Sequence, residues 1–334
     1  MTNTHFLAHR VEDASYHVAF GMHIRSDLPL PELPHGGSAH AIDLSFYFAD
    51  LPVPDEAVRS GSLQTCGEDA YLTVEKVARY RIRGGREIAI DPFPGASDRS
   101  IRLFLLGSAF GVLCHQRGLL PLHANAIVSE GQAFAFGGRA GIGKSTLAAH
   151  FQSRGYGILC DDVCVVSFDD LGRPLAWPGL PRLKLWRDAA EKFGYDSREL
   201  EVTMDGLEKF HVPLTAPPAQ CPFPLARLYI LSDGESRSSP EILRLSGISA
   251  LEAVVANVYR PWHLKPLGLR QANFNRAARV AMHASVYAAP RTRGFDVFAQ
   301  EAAKLESHLL TKFDGRNNDH HRPADRNSLE ETAP

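Results

Sequence analysis

Nine consecutive residues, Gly138-Arg139-Ala140-Gly141-Ile142-Gly143-Lys144-Ser145-Thr146, have the spacing G-x-x-x-x-G-K-[ST], which describes a loop that cradles phosphate groups. Glycine lets the backbone turn tightly and bring its N–H groups against an anion. A helix starting at the end of the loop would aim its unpaired N–H groups and the positive end of its dipole at the same place. Lys144 would bring a mobile charge to the β- and γ-phosphates, and Ser145 a hydroxyl to Mg²⁺.

Such a loop works only between a strand and a helix, and the flanking residues supply both. Gln132-Ala133-Phe134-Ala135-Phe136 is short, apolar and bounded by glycine, as a buried strand should be. Ser145 to Arg154 is made of good helix formers, with Leu147 and Phe151 on one face and Gly155 placed as a C-cap.

A second polar cluster stands close by in sequence. Asp161 and Asp162 interrupt a β-rich run from Tyr156 to Val166, and Asp161 follows Lys144 by 17 positions. That distance is one helix plus one short strand. In an open α/β sheet it brings the acids to the crevice that holds the loop. One carboxylate could then hold Mg²⁺ and the other accept the proton of an attacking hydroxyl; the alternative is a plain turn between strands. His123, in the apolar run Leu119 to Val128, reads on its own as a hydrogen-bonded core residue. Arg182 and Lys184 alternate about Leu183, so a strand there would point both into the cleft. Lys209 could clamp a phosphate or a peptide carboxylate, and for all three the alternative is solvated surface charge.

Composition narrows the classes. The chain has 334 residues, 44% of them hydrophobic, with 36 Lys+Arg against 38 Asp+Glu and a formal net charge of −2. This allows a sizeable core and argues against general nucleic-acid binding. Five cysteines without a C-x-x-C pair give neither a zinc site nor a disulfide framework. No run of about 18 apolar residues suggests a membrane span, and Met1 to Arg10 lacks the apolar stretch of a signal peptide. The expectation is a cytoplasmic protein, with a homo-oligomer left open.

The chain divides into four expected regions: a flexible segment over 1–15, a β-rich domain over 16–97, an α/β domain over 98–311 and a disordered tail over 312–334. Within the second, Tyr16–Ile24, Ile42–Phe48, Tyr71–Val77 and Tyr80–Ile90 read as strands. Leu103, Leu106, Phe110 and Leu113 recur at helical spacing between Asp98 and Gln116. Further helices are expected over 187–200, 249–259, 273–282 and 295–310, and strands at 225–231 and 285–287.

The segments Leu122-His123-Ala124, Gly138 to Thr146, and Arg154-Gly155-Tyr156-Gly157-Ile158-Leu159-Cys160-Asp161-Asp162-Val163 together resemble the core of the HPr kinase/phosphorylase family. The likeness is close over 119–168 and loose up to about 300. It implies a P-loop HPr-kinase-like core, a mixed sheet with flanking helices, behind the β-rich domain. It also implies an ATP- and Mg²⁺-dependent kinase acting on a serine hydroxyl. Asp161 would be the acid/base, Asp162 an ion or network partner, and His123 a neighbour of the phosphates. The family's Glu-x-Arg-Gly-Leu-Gly signature corresponds here to Trp177-Pro178-Gly179-Leu180-Pro181-Arg182-Leu183-Lys184-Leu185-Trp186. The acidic residue is missing, and with it the support for a second metal contact and for phosphorylase activity.

That form, with Leu28-Pro29-Leu30-Pro31-Glu32-Leu33 and Pro290-Arg291-Thr292-Arg293-Gly294-Phe295, is similar to the kinases encoded with lasso-peptide clusters. The similarity implies a precursor peptide with a C-terminal serine as the partner. A nucleotide-gated binding module without transfer, and a phosphoenolpyruvate-carboxykinase-like enzyme, are the other functional classes the motif allows.

Overall fold

The computed structural model describes residues 14–36, 41–52, 57–204, 206–214, 221–234, 241–292 and 294–311. The expected tail over 312–334 lies outside them. So does the expected flexible amino terminus, apart from residues 14 and 15, and Ser15 opens the first strand.

Alternation of buried and half-buried residues, as in Met22, Ile24 and Ser26 against His23 and Arg25, builds an eight-stranded sheet with one face in a core. Its strands are β1 (Ser15–Ala19), β2 (Met22–Ser26), β3 (Leu44–Phe48), β4 (Val58–Ser60), β5 (Leu63–Cys66), β6 (Asp69–Val74), β7 (Ala78–Arg83) and β8 (Glu87–Pro92), in the order β1-β2-β3-β8-β7-β6-β5-β4. The single strand expected over Tyr16–Ile24 is a hairpin. Phe20 and Gly21 both take positive φ, 52° and 71°, and reverse the chain. A Cβ on Gly21 would stand 2.0 Å from the Trp177 ring. The run Tyr80–Ile90 is likewise two strands, folded at Gly84 and Gly85.

Against this sheet lies a helical run: α1 (Asp98–Phe104), a π-helical turn (Leu105–Ala109) and α2 (Phe110–Gln116). Ser97 caps it, its hydroxyl accepting the Ser100 N–H at 3.3 Å. Ile101, Leu105, Phe110 and Leu113 pack with Ile24, Phe46 and Tyr80 in one cluster. The small residue Gly111 makes room for Tyr259, since a Cβ there would come within 2.9 Å of that ring.

The rest of the described chain contains a nine-stranded sheet and a three-stranded one. The first uses β9 (Leu120–Leu122), β10 (Ala124–Ser129), β11 (Gln132–Gly137), β12 (Gly157–Cys160), β13 (Cys164–Phe168), β14 (Pro174–Ala176), β18 (Phe223–Asp233), β19 (Leu243–Leu245) and β20 (Ser285–Arg291). Its order is β12-β10-β11-β18-β14-β13-β9, with β20 between β18 and β19. The second is β15 (Arg182–Trp186), β16 (Glu201–Val202) and β17 (Lys209–Pro213). The helices here are α3 (Lys144–Ser153), α4 (Arg187–Lys192), α5 (Gly247–Ala256), α6 (Arg270–His283) and α7 (Phe298–Leu310). Helices α5 and α6 cover one face of the large sheet, and α3 and α7 the other. The helix expected over 187–200 stops at Lys192, because Gly194 takes φ 81° and ends it. No described helix is long and apolar enough to cross a membrane.

Two buried histidines should make the fold sensitive to acid. His115 and His263 are each 1% exposed, and burial pushes both down to about 4. The unfolded chain takes up these protons near 6.5, so between the two values it binds more protons than the folded chain and stability falls with pH. We expect a loss of up to about 3 kcal/mol per histidine from pH 6.5 to 4, at about 1.4 kcal/mol per unit. Denaturant midpoints at pH 7.5 and 5 measure it, and equal midpoints would contradict this burial effect.

Candidate functional site

Strand register brings three separate segments to one end of the large sheet. β11 runs into the glycine-rich loop at Gly138. β10 pairs antiparallel with β11, Ala124 opposite Gly137, so His123 lies at that end too. β12 pairs antiparallel with the other edge of β10, Ala126 opposite Cys160, so Asp161 also emerges there. Two antiparallel steps give β11 and β12 the same direction.

The loop is held by close approach. Gly138 takes φ 135°, and a Cβ on it would stand 2.5 Å from the Leu231 carbonyl oxygen. Its N–H donates to Asn257 Oδ1 at 2.6 Å. Asn125, buried in β10, donates its amide to the Lys144 carbonyl. Helix α3 starts at Lys144 behind Gly143, with no side chain capping it. Its first N–H groups therefore border the loop, where an anion could accept from them.

Lys144 is 7% exposed. Its ammonium donates to the carbonyls of Gly138 (2.6 Å) and Arg139 (3.1 Å) and lies 3.0 Å from His123 Nε2. Burial lowers it to about 8, against the pull of Asp162 and Asp161. His123 is lowered as well, by burial and then by the Lys144 charge. A neutral ring protonated on Nδ1 satisfies both neighbours: Nε2 accepts from Lys144, and Nδ1 donates to the Asp162 carbonyl at 3.2 Å.

The two acids stand in different surroundings. Asp161 is 8% exposed. It accepts the Ser145 hydroxyl at 2.9 Å and the Lys184 N–H at 2.8 Å. Burial, and then the neighbouring Asp162 charge, raise it. Asp162 takes a left-handed φ of 71°, which aspartate tolerates better than most residues. Its carboxylate accepts from Lys184 Nζ at 3.1 Å and stands 3.5 Å from His123 Nδ1. Burial would raise it, but Lys184, His123 and Lys209 outweigh burial and hold it well below the usual carboxylate range. Burial would also lower Lys184; Asp162 leads the neighbours that keep it raised instead.

A cavity of about 260 Å³ opens over this cluster, lined by His123, Ala140, Gly141, Gly143, Lys144, Ser145, Thr146, Asp162, Lys184 and Lys209, with Trp186 and Phe295 at its walls. Three residues singled out from the sequence lie elsewhere. Arg139 pairs with Asp233 on the surface. Arg182 shares strand β15 with Lys184, yet its guanidinium meets Glu32 at 3.5 Å. Glu32, from the proline-broken Leu28–Leu33 segment, also pairs with Arg102 at 2.7 Å. Ile142 packs against the core beneath the loop and does not line this cavity.

Sequence reasoning passed over Asn257, Tyr259 and Trp186. Asn257 secures the loop, and its backbone carbonyl also accepts the His123 N–H at 2.7 Å. Tyr259 packs beside His123, ring centroids 6.0 Å apart. Neither has a local signal, since both follow a helix more than 100 residues from their partners. Asn125 did have one: a polar residue inside an apolar strand.

The chain matches no family model and no curated protein. Among solved structures it is similar to the Hpr(Ser) kinase/phosphatase from Coxiella burnetii. Identity is 14% and the TM-score 0.30, over 57% of this chain and 90% of that one. This distant likeness concerns the fold alone.

Proposed function

We propose that the protein transfers the terminal phosphoryl group of Mg²⁺-bound ATP to the hydroxyl of a serine in a peptide or small protein. The observation that carries this reading is a division of labour between adjacent acids: Asp161 tied to Ser145, Asp162 lining the cavity that Lys144 also faces. A turn between strands would need neither.

The Ser145 hydroxyl and Asp161 form an oxygen pair that fits Mg²⁺. This ion takes few protein ligands, keeps waters and completes its shell with phosphate oxygens. Among the described residues no group of three or more His, Cys, Asp or Glu could hold a metal by itself, so the nucleotide would complete the site. The ion would neutralise charge building on the phosphates. Lys144 would exchange its loop carbonyls for phosphate oxygens, with His123 beside it. Lys184 and Lys209 flank the same cavity and would balance the charge of the transferring group.

Asp162 is then the proton acceptor for the incoming hydroxyl. This exchanges the roles implied by the sequence resemblance, and the support is the Ser145 contact, which engages Asp161. Asp161 is held beside Ser145 on the metal side, while Asp162 lines the cavity that an incoming hydroxyl would enter. The narrower acceptor, a C-terminal serine of a lasso-peptide precursor, rests on the likeness of the Leu28–Leu33 and Pro290–Phe295 segments.

Incubation with Mg²⁺ and ATP labelled at the γ-phosphate, with serine-containing peptides as acceptors, tests the proposal by mass and by label. Label should pass to a serine only when the divalent ion is present. Nucleotide binding without transfer to any acceptor would instead favour a nucleotide-gated binding module.

A further inference from the structure

The glycine-rich loop has a second side. A cavity of about 280 Å³ opens there, with the loop residues Gly141 and Gly143 and the helix residue Thr146 in its wall. These three also line the charged cavity over Asp162, so the two hollows meet across the loop. Their chemistry differs. The charged hollow presents Lys144, Lys184, Lys209 and Asp162; the second is walled by Ile142, Phe298 and Phe295, the last shared with the charged hollow, and its charged lining residues are Arg291 and Glu301.

The aromatic wall is built and braced. Phe298, at the start of α7, packs edge-on to His150 of α3, centroids 5.7 Å apart. Lys192 sits 4.4 Å over the Phe295 ring and donates to its carbonyl at 2.9 Å. Arg291, at the end of β20, donates to the Ile142 carbonyl and so ties this wall to the loop. Arg291 and Phe295 belong to a segment singled out from the sequence, and Phe295 also stands at the wall of the charged cavity.

We propose that this second cavity takes the base of a purine nucleoside triphosphate, stacked against Phe298 and Phe295, while the phosphates cross the loop to Lys144. The proposal rests on the phosphate reading of the loop made above. Two aromatic rings beside a cavity at the small end of ligand pockets suit a stacked base. Stacking is tolerant of base edges and grows with ring area. Adenine and guanine should therefore bind alike, and cytosine more weakly.

Calorimetry with Mg²⁺ complexes of ATP, GTP, CTP and inorganic tripolyphosphate tests this. In the wild type, ATP and GTP should bind at least about tenfold tighter than tripolyphosphate, with CTP between them, as expected for one stacked base. Phe298→Ala should bring ATP down to the tripolyphosphate affinity and leave tripolyphosphate unchanged. Ser232→Trp, which fills the cavity from an exposed strand end, should do the same without touching the core. Tripolyphosphate binding as tightly as ATP, or both variants keeping the wild-type ratio, would overturn the base site and leave the phosphate reading standing. If neither compound binds, the phosphate reading fails and the base site falls with it.

Discussion

Asp162→Asn should lower the proposed phosphoryl transfer by a factor on the order of 10²–10⁴, the usual worth of a positioned base, while Mg·ATP should still bind. The substitution keeps the size of the side chain and its left-handed backbone, since asparagine also tolerates φ near 71°. It removes the charge that Lys184 and His123 now face. In the free protein that carboxylate is held so low that it would be a poor base. Nucleotide changes this. Several negative charges arriving beside Lys144 and Lys184 favour the protonated form of every nearby group, so Asp162 rises toward the range where it can take a proton. The acidic limb of the rate profile should therefore lie at higher pH with nucleotide bound than the free protein's Asp162 would dictate. Asp161→Asn should act differently. It disturbs the Ser145 pair and should appear as a raised Mg²⁺ requirement. Single-turnover transfer measured beside nucleotide affinity separates the two. Near wild-type transfer in Asp162→Asn would remove the base from this account; a loss only in Asp161→Asn would return the role to Asp161.

What was legible in the sequence was what depends on short range. The loop spacing, its flanking strand and helix, and the single helix-plus-strand span to the acids are all local, and the register of β10, β11 and β12 turns that span into a shared sheet end. The hairpin at Phe20-Gly21 was not legible as such, because a non-glycine residue at φ 52° leaves no signature in a run of strand formers. Alternation correctly put Arg182 and Lys184 on one strand, but it could not separate their partners. Arg182 is captured by Glu32, 150 positions earlier, and only the folded first sheet brings that acid across. The different surroundings of Asp161 and Asp162 were hidden for the same reason: the Lys184 N–H and ammonium reach one acid each. Adjacent residues of one type look equivalent until a third segment arrives.

Lys144→Ala should weaken Mg·ATP binding by roughly 10²–10⁴-fold and abolish transfer. Two charge-assisted hydrogen bonds at about 1.5–3 kcal/mol each set that scale. Arginine should not rescue it, because a planar fork cannot replace a compact ammonium in a site only 7% exposed. The buried ammonium gives the prediction a second readout. In the free protein burial brings it down to about 8, well below an ordinary lysine. Phosphate oxygens in place of carbonyls and His123 favour the charged form, so binding raises it. The sign follows: above pH 8 the free protein has lost this proton and the complex regains it, so binding takes up protons and affinity falls as pH rises. Calorimetry at pH 8.5 in buffers of different ionisation enthalpy measures that uptake. It should be present in the wild type and smaller in Lys144→Ala by the protons this ammonium takes up. Equal uptake in both, together with unchanged affinity, would mean that the loop does not present Lys144 to phosphate.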